Sequence, residues 1–336
     1  MEKTTFSFSV CCLLISLFSI SLTAQDLHFT NYTTAPQTLN PAMIGDFQGT
    51  FKVGGIYRDQ FSNFFSKGFK SQSLFAEANL KTGLKEHHWM SVGLALDNDK
   101  SGDLALGSTR ISGTVAYHLS LDKKYKNVFS IGAQFSSITR NSDSSLARTE
   151  QSLTGMGVDP DIALLDTYDS RQMDFNAGLG FRSRLNKYAL FKTGFGIYHF
   201  IASENDAANQ TQDYFPLRFN AHASLRYDVN KTISLEPRLL LSKAATATDL
   251  ALQVVSTYWM KDKGIDFGLG YRVGDAMEFI VGYHHKDWII TGAYDMTVSS
   301  ASTYNQNFGG FEIGAYKIIT KHPKPKVEYI QICPRL

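Results

Sequence analysis

Cysteine, proline and long apolar runs are what this 336-residue chain has least of, and each shortage excludes something. Of its three cysteines, Cys11 and Cys12 fall in an N-terminal stretch that the mature protein is expected to lose. Cys333 is then left alone, so no intramolecular disulfide can staple the fold. After Leu22 no apolar stretch approaches the roughly twenty residues of a transmembrane helix, so any crossing of a membrane must use strands. A net charge of +2 points to no nucleic acid. Catalytic motifs are missing as well: there is no Gly-x-Ser-x-Gly elbow, no His-Glu-x-x-His and no phosphate-cradling glycine loop. His118 and Ser120 share a strand face, but such pairs are common on any wet face, and a triad needs a third group converging on them. The chain is expected to be no enzyme and to need no cofactor.

What is present begins with a leader. Glu2 and Lys3 precede an apolar run from Phe6 to Leu22, followed by Thr23, Ala24 and Gln25. This reads as a secretory signal peptide over residues 1–24, cut after Ala24. No small residues stand before Cys11 or Cys12 as a lipoprotein signal requires, so no lipid anchor is expected.

Period-two alternation dominates the remainder. From Thr109 to Leu121 the residues Ile111, Gly113, Val115, Tyr117, Leu119 and Leu121 alternate with Arg110, Ser112, Thr114, Ala116, His118 and Ser120. A helix would scatter these around its cylinder, whereas a strand sorts them onto two faces. Its length matches the roughly nine to eleven residues of a tilted strand crossing a membrane. About fourteen such segments follow one another between Phe51 and Ile318. The reading is an all-β, transmembrane, antiparallel up-and-down β-barrel over residues 49–319, with a periplasmic N-terminal segment or plug at 25–48 and a periplasmic tail at 320–336. The mean hydropathy of −0.17 is what alternating lipid-facing and lumen-facing residues produce. A secreted sandwich or propeller would need shorter strands or a repeat near forty residues, and neither stands out.

An even strand count places both termini on the periplasmic side of an outer membrane. Connections should alternate accordingly. Thr139 to Arg171 and Ile201 to Leu217 read as long external loops and the best docking surface; Ser242 to Asp249 reads as a shorter one. Aromatics at strand ends, among them Tyr57, Trp89, Tyr227 and Trp288, suggest interfacial girdles. Parity turns Arg110, Asp174, Arg182, Arg226, Glu236, Arg238, Asp266, Arg272 and Glu278 toward the lumen, since near the midplane a lipid-facing Arg or Lys would cost about 2–4 kcal/mol and an acid somewhat less. They either pair across the lumen or hold a plug or client segment there. Gly178, Gly180, Gly268 and Gly270 mark inward positions where close packing wants no side chain. Asp97 to Asp103 imitates the start of a calcium loop but has Ser108 where the bidentate Glu should stand. The pairs His87-His88 and His284-His285 read as periplasmic turns. No metal is expected at any of the three.

Several short motifs complete the picture. Leu39-Asn40-Pro41-Ala42 with Gly45, Tyr57-Arg58-Asp59-Gln60-Phe61, Asn98-Asp99-Lys100-Ser101-Gly102, Tyr294-Asp295, Gly309-Gly310-Phe311-Glu312-Ile313 and Cys333-Pro334-Arg335-Leu336 occur in that order. The set resembles the PorP/SprF outer-membrane proteins of the type IX secretion system of Bacteroidota, with Phe61 in place of the usual Trp and Leu336 in place of the usual Phe. The resemblance implies a barrel that serves the secretion machine or receives one client, a secreted adhesin or its C-terminal domain, and anchors it at the surface. Implied partners are that client, other type IX components and outer-membrane lipid. The alternative is a passive or substrate-specific channel for small solutes.

Overall fold

The computed structural model describes residues 28–60, 68–80, 87–101, 106–141, 169–200, 216–245, 247–299, 302 and 307–321. The predicted alternation produces fourteen strands: β1 (Phe51–Gln60), β2 (Phe69–Leu80), β3 (His88–Ser101), β4 (Leu106–Ser120), β5 (Asn127–Asn141), β6 (Asp169–Arg184) and β7 (Ala189–Tyr198). They continue as β8 (Arg218–Asp228), β9 (Ile233–Ala244), β10 (Ala247–Met260), β11 (Lys263–Arg272), β12 (Ala276–His285), β13 (Trp288–Thr297) and β14 (Phe308–Ile319). Each pairs antiparallel with its sequence neighbours, and β1 closes on β14 with Arg58 opposite Glu312. Closure leaves no strand edge, which is what a sheet in hydrocarbon requires.

The two faces are sorted in the sense opposite to a water-soluble core. Leu94 is 67 % exposed while Ala95 beside it is 6 % exposed, and Ile111 and Val115 stand at 60 % and 46 %. Buried instead are Arg58, Glu77, Asp97, Arg110, Gln134, Asp174, Glu278 and Glu312. Such a molecule is stable only where its outer face meets lipid. Tyr227, Tyr271, Tyr283, Trp288 and Tyr294 are exposed on that face near strand ends, as a girdle requires. Trp89 departs from the expectation: its ring stacks on lumen-facing His118 at 4.6 Å between centroids, with the Arg182 guanidinium 5.9 Å from it.

The rim where β1 starts and β14 ends, here the near rim, has only short connections, while the two longest, 142–168 and 199–217, lie at the far rim. Strands run further into the rims than periodicity foretells. Ser242 to Asp249 is no loop, because β9 and β10 continue to a tight hairpin in which Ala245 takes φ 48°. Asn98 to Ser101 belong to β3, and His284 and His285 to the end of β12. Polar residues at a rim look like loop by composition, yet a continuing partner strand still takes their backbone hydrogen bonds.

Residues 28–50 pass through the lumen as a strap. The His28 ring lies 3.8 Å from Asp249, just below the β9–β10 hairpin at the far rim, and at the near rim Thr50 N–H donates to the Ile319 carbonyl. Between Phe29 and Gly45 only Thr33, Thr38 and Met43 are not buried. The strap forms a short helix α1 (Pro36–Leu39) and a 3-10 turn (Pro41–Met43), each opening on a proline whose missing N–H costs nothing there. The expected signal peptide at 1–24, most of both long loops and the tail from 322 lie outside the described residues.

Candidate functional site in the barrel lumen

The strap is held at three places, each built from strand residues that the two-residue period turns inward. Nearest the far rim, Arg58 of β1 donates to Asp295 of β13 at 2.6 Å and to the Thr30 hydroxyl at 2.7 Å, with Glu312 of β14 3.7 Å away. Glu312 accepts the backbone N–H groups of Thr30 and Asn31 at 2.7 and 3.0 Å. The Thr30 hydroxyl donates to Asp295 at 2.6 Å, and Gln253 donates to the Thr30 carbonyl at 2.8 Å. Arg272 extends the cluster, donating to Glu278 at 2.8 Å with Asp295 3.6 Å away. Two guanidiniums thus balance three buried carboxylates, and the strap's own donors complete the set. Such an arrangement tolerates burial only as a whole, because removing one partner leaves a charge uncompensated.

Midway, Asn40 is fully buried and uses its whole side chain. Its Oδ1 accepts from Ala42 N–H at 2.9 Å, capping the 3-10 turn. Its amide nitrogen donates to the Leu179 carbonyl at 2.8 Å and meets His222 Nε2 at 3.1 Å, which makes that ring nitrogen the acceptor. Strands β5, β6 and β7 come close enough because they present glycine. A Cβ on Gly132 would strike the Pro41 and Ala42 backbone, one on Gly178 would strike the Asn40 Oδ1, and one on Gly194 would lie 2.5 Å from the Asn40 amide nitrogen. Gly178 therefore behaves as expected of an inward glycine, whereas a Cβ on Gly180 would make only ordinary contacts with Ser130 and Ala42. Above this cradle Gln37 accepts from Thr114 at 3.1 Å, and the Tyr198 hydroxyl donates to the Gln37 carbonyl at 3.0 Å.

At the near rim, Asp46 sits between Arg182 at 2.5 Å and Lys192 at 2.7 Å. Burial pushes this carboxyl up, but Lys192 and Arg182 outweigh burial and hold it well below the usual carboxylate range. Glu77 accepts from Gly45 N–H at 2.8 Å and from Lys52 at 3.2 Å. His118 Nε2 donates to the Ile44 carbonyl at 2.9 Å.

All nine residues assigned to the lumen by parity lie on that face. Arg182 and Arg238 touch the strap, the latter through Thr33 at 3.3 Å and Asn31 at 3.5 Å. The others pair mainly with one another or with neighbours. Glu236 accepts from Arg238 at 2.8 Å, Asp174 lies 3.1 Å from His199, Asp266 lies 2.7 Å from His284, and Arg226 lies 3.6 Å from Asp228. Arg110 is buried on the same face. Arg182 and Arg238 thus meet the strap, while these other pairs join residues of one strand or of neighbouring strands and do not cross the lumen. The same parity also turns Lys52, Glu77, Lys192, His222 and Gln253 inward. The Asp97–Asp99 region offers no converging ligand set, since Asn98 donates to Thr109 at 2.9 Å on one face while Asp99 accepts from Ser71 on the other. Among the described residues no group of three His, Cys, Asp or Glu could hold a metal.

A family model for the type IX secretion system membrane protein PorP/SprF matches residues 21–315. The chain belongs to the PorP/SprF family. No curated protein matches it. Among solved structures, the P. putida toluene transporter TodX is 11 % identical with a TM-score of 0.49, over 84 % of this chain and 93 % of that one. A TodX mutant described as a monoaromatic hydrocarbon channel is 10 % identical with a TM-score of 0.51, over 84 % and 92 %. The CymD monoaromatic hydrocarbon channel is 12 % identical with a TM-score of 0.48, over 86 % and 94 %. At such identity the likeness is one of barrel fold alone. Membership in PorP/SprF places the barrel in the outer membrane and implies other secretion components as partners. Its motif residues fall largely at the strap. Asn40 and Pro41 occupy the glycine cradle, and Arg58, Asp295 and Glu312 form the charge cluster. Gly310 makes room there, since a Cβ on it would lie 2.7 Å from Gln60 Cγ. Tyr57 and Tyr294 face outward, while Cys333, Pro334 and Arg335 lie outside the described residues.

Proposed function

We propose that this PorP/SprF barrel is a sealed, non-catalytic scaffold that binds a secreted client, an adhesin or its C-terminal domain, and anchors it at the cell surface. The observation that carries this reading is the strap. A lumen threaded from rim to rim by a buried, charge-paired segment is suited to rigid support and ill suited to solute flow. In this proposal the near rim, with its short turns and the exit of β14, faces the periplasm, and the far rim presents Thr139 to Arg171 and Ile201 to Leu217 to the client. The strap starts toward the far rim, so residue 28 would lie on the outer side, and the expectation of two periplasmic ends is kept for the C-terminal end alone. A mild-detergent pull-down read by mass spectrometry tests the assignment. Recovery of a large secreted protein carrying a type IX C-terminal domain supports it. A barrel that recovers no secreted protein and conducts steadily in a planar bilayer would instead be a small-solute channel.

A further inference from the structure

The near rim carries an excess of one charge that the strap does not use. Lys123, Lys124 and Lys126 stand in the β4–β5 turn, and Lys187, Lys231 and Lys261 in the next three turns. Lys263, Lys286, Lys317 and Lys321 complete the ring. None of these lysines is in an ion pair with a described carboxylate. Asp122, the acid of the β4–β5 turn, is occupied by its own turn, accepting from the N–H groups of Lys124, Lys126 and Asn127.

The quarter formed by β12, β13, β14 and β1 is distinctive. Lys317 lies on the lipid-facing parity of β14, two residues from its end, directly opposite Trp288 in the ladder. Its ammonium stands 5.2 Å from the centre of the Trp288 ring. Just past the end of β14, Lys321 stands 5.1 Å from the ring of Phe51 on the neighbouring β1, and Lys286 tips the adjoining turn. A lysine on the lipid face keeps its charge only by reaching the headgroup layer, and an aromatic ring at that depth holds the stem in place. Asp287 shares the turn with Lys286 but forms no described ion pair with the three lysines, so the counter-ion left to them is a lipid phosphate.

We propose that Lys286, Lys317 and Lys321, framed by Trp288 and Phe51, bind the phosphodiester headgroup of an anionic phospholipid in the leaflet at the near rim. Attraction of this kind weakens about five-fold for each lysine removed near a membrane surface.

The test uses the full mature barrel in detergent with equal phosphatidylglycerol and phosphatidylethanolamine, with bound lipid counted by native mass spectrometry. The expected result is preferential retention of phosphatidylglycerol, lost in a K286Q/K317Q/K321Q variant and kept in a K70Q/K243Q variant altered at the far rim. These side chains are at the surface, and resistance to unfolding in unheated SDS checks that each variant is folded. Equal retention of both lipids, or unchanged preference in the triple variant, overturns the proposal. So does displacement by millimolar inorganic phosphate, which would make this a free-phosphate site. Binding of poly-glutamate in place of lipid, abolished by the triple variant, would also overturn it and assign the patch to an acidic protein.

Discussion

Arg58 joins β1, β13, β14 and the strap through one guanidinium, so its removal tests whether the charge cluster is a unit. Arg58→Ala leaves Glu312 without its cation and Asp295 with Arg272 alone, 3.6 Å away, and the barrel should lose about 3–5 kcal/mol. The measurement is the urea midpoint of the refolded protein; an unchanged midpoint would mean that water already screens the cluster. Asp46 gives a pH-dependent counterpart. Its carboxyl is held low in the folded barrel by Lys192 and Arg182, so its contribution is complete above the ordinary aspartate value of about 3.9 and fades as pH falls through and below it. Asp46→Asn should therefore be less stable than the parent at pH 7, with the gap narrowing as pH falls toward about 2. A gap that stays constant between the two pH values would contradict the pairing. At this scale the sequence was partly readable. Parity turned Arg182 and Arg238 inward, and family resemblance marked Asn40 and Arg58. Nothing local could show that Thr30 meets Glu312, because the two are 282 positions apart.

Strand β4 behaves as its alternation foretells on one face and more strictly on the other. Val115 faces lipid, so Val115→Arg near the midplane should cost about 2–4 kcal/mol and reduce the amount of assembled barrel in outer-membrane fractions. In an open lumen Ser112 would accept Arg. Instead it is 1 % exposed and its hydroxyl accepts from Ser136 at 3.1 Å, so Ser112→Arg should also impair assembly. The inward side of β4 lines a lumen that the strap occupies, with Thr114 donating to Gln37. Gly178→Val tests that element directly, since the added side chain occupies the place of the Asn40 amide oxygen. The wall should still close, as heat-dependent gel mobility would report, while protease cleavage within residues 28–46 should increase. Fourteen strands were legible because period two is a property of each segment by itself. The strap's path was not legible, since its short polar turns take their partners from strands all around the barrel.

For the whole molecule, closure of the sheet and occupation of the lumen are separate achievements. The sheet provides an apolar cylinder that suits the outer membrane; in the proposed function the strap makes that cylinder a support in place of a tube. A wide barrel without it would leave buried charges such as Glu312 and Asp295 facing water, and a through-path would open between the rims. Planar-bilayer conductance of the purified mature protein, compared with a variant lacking residues 28–46, tests this most directly. The account predicts a silent parent and a steadily conducting variant. A parent that conducts steadily, or a folded deletion variant that stays silent, would contradict it.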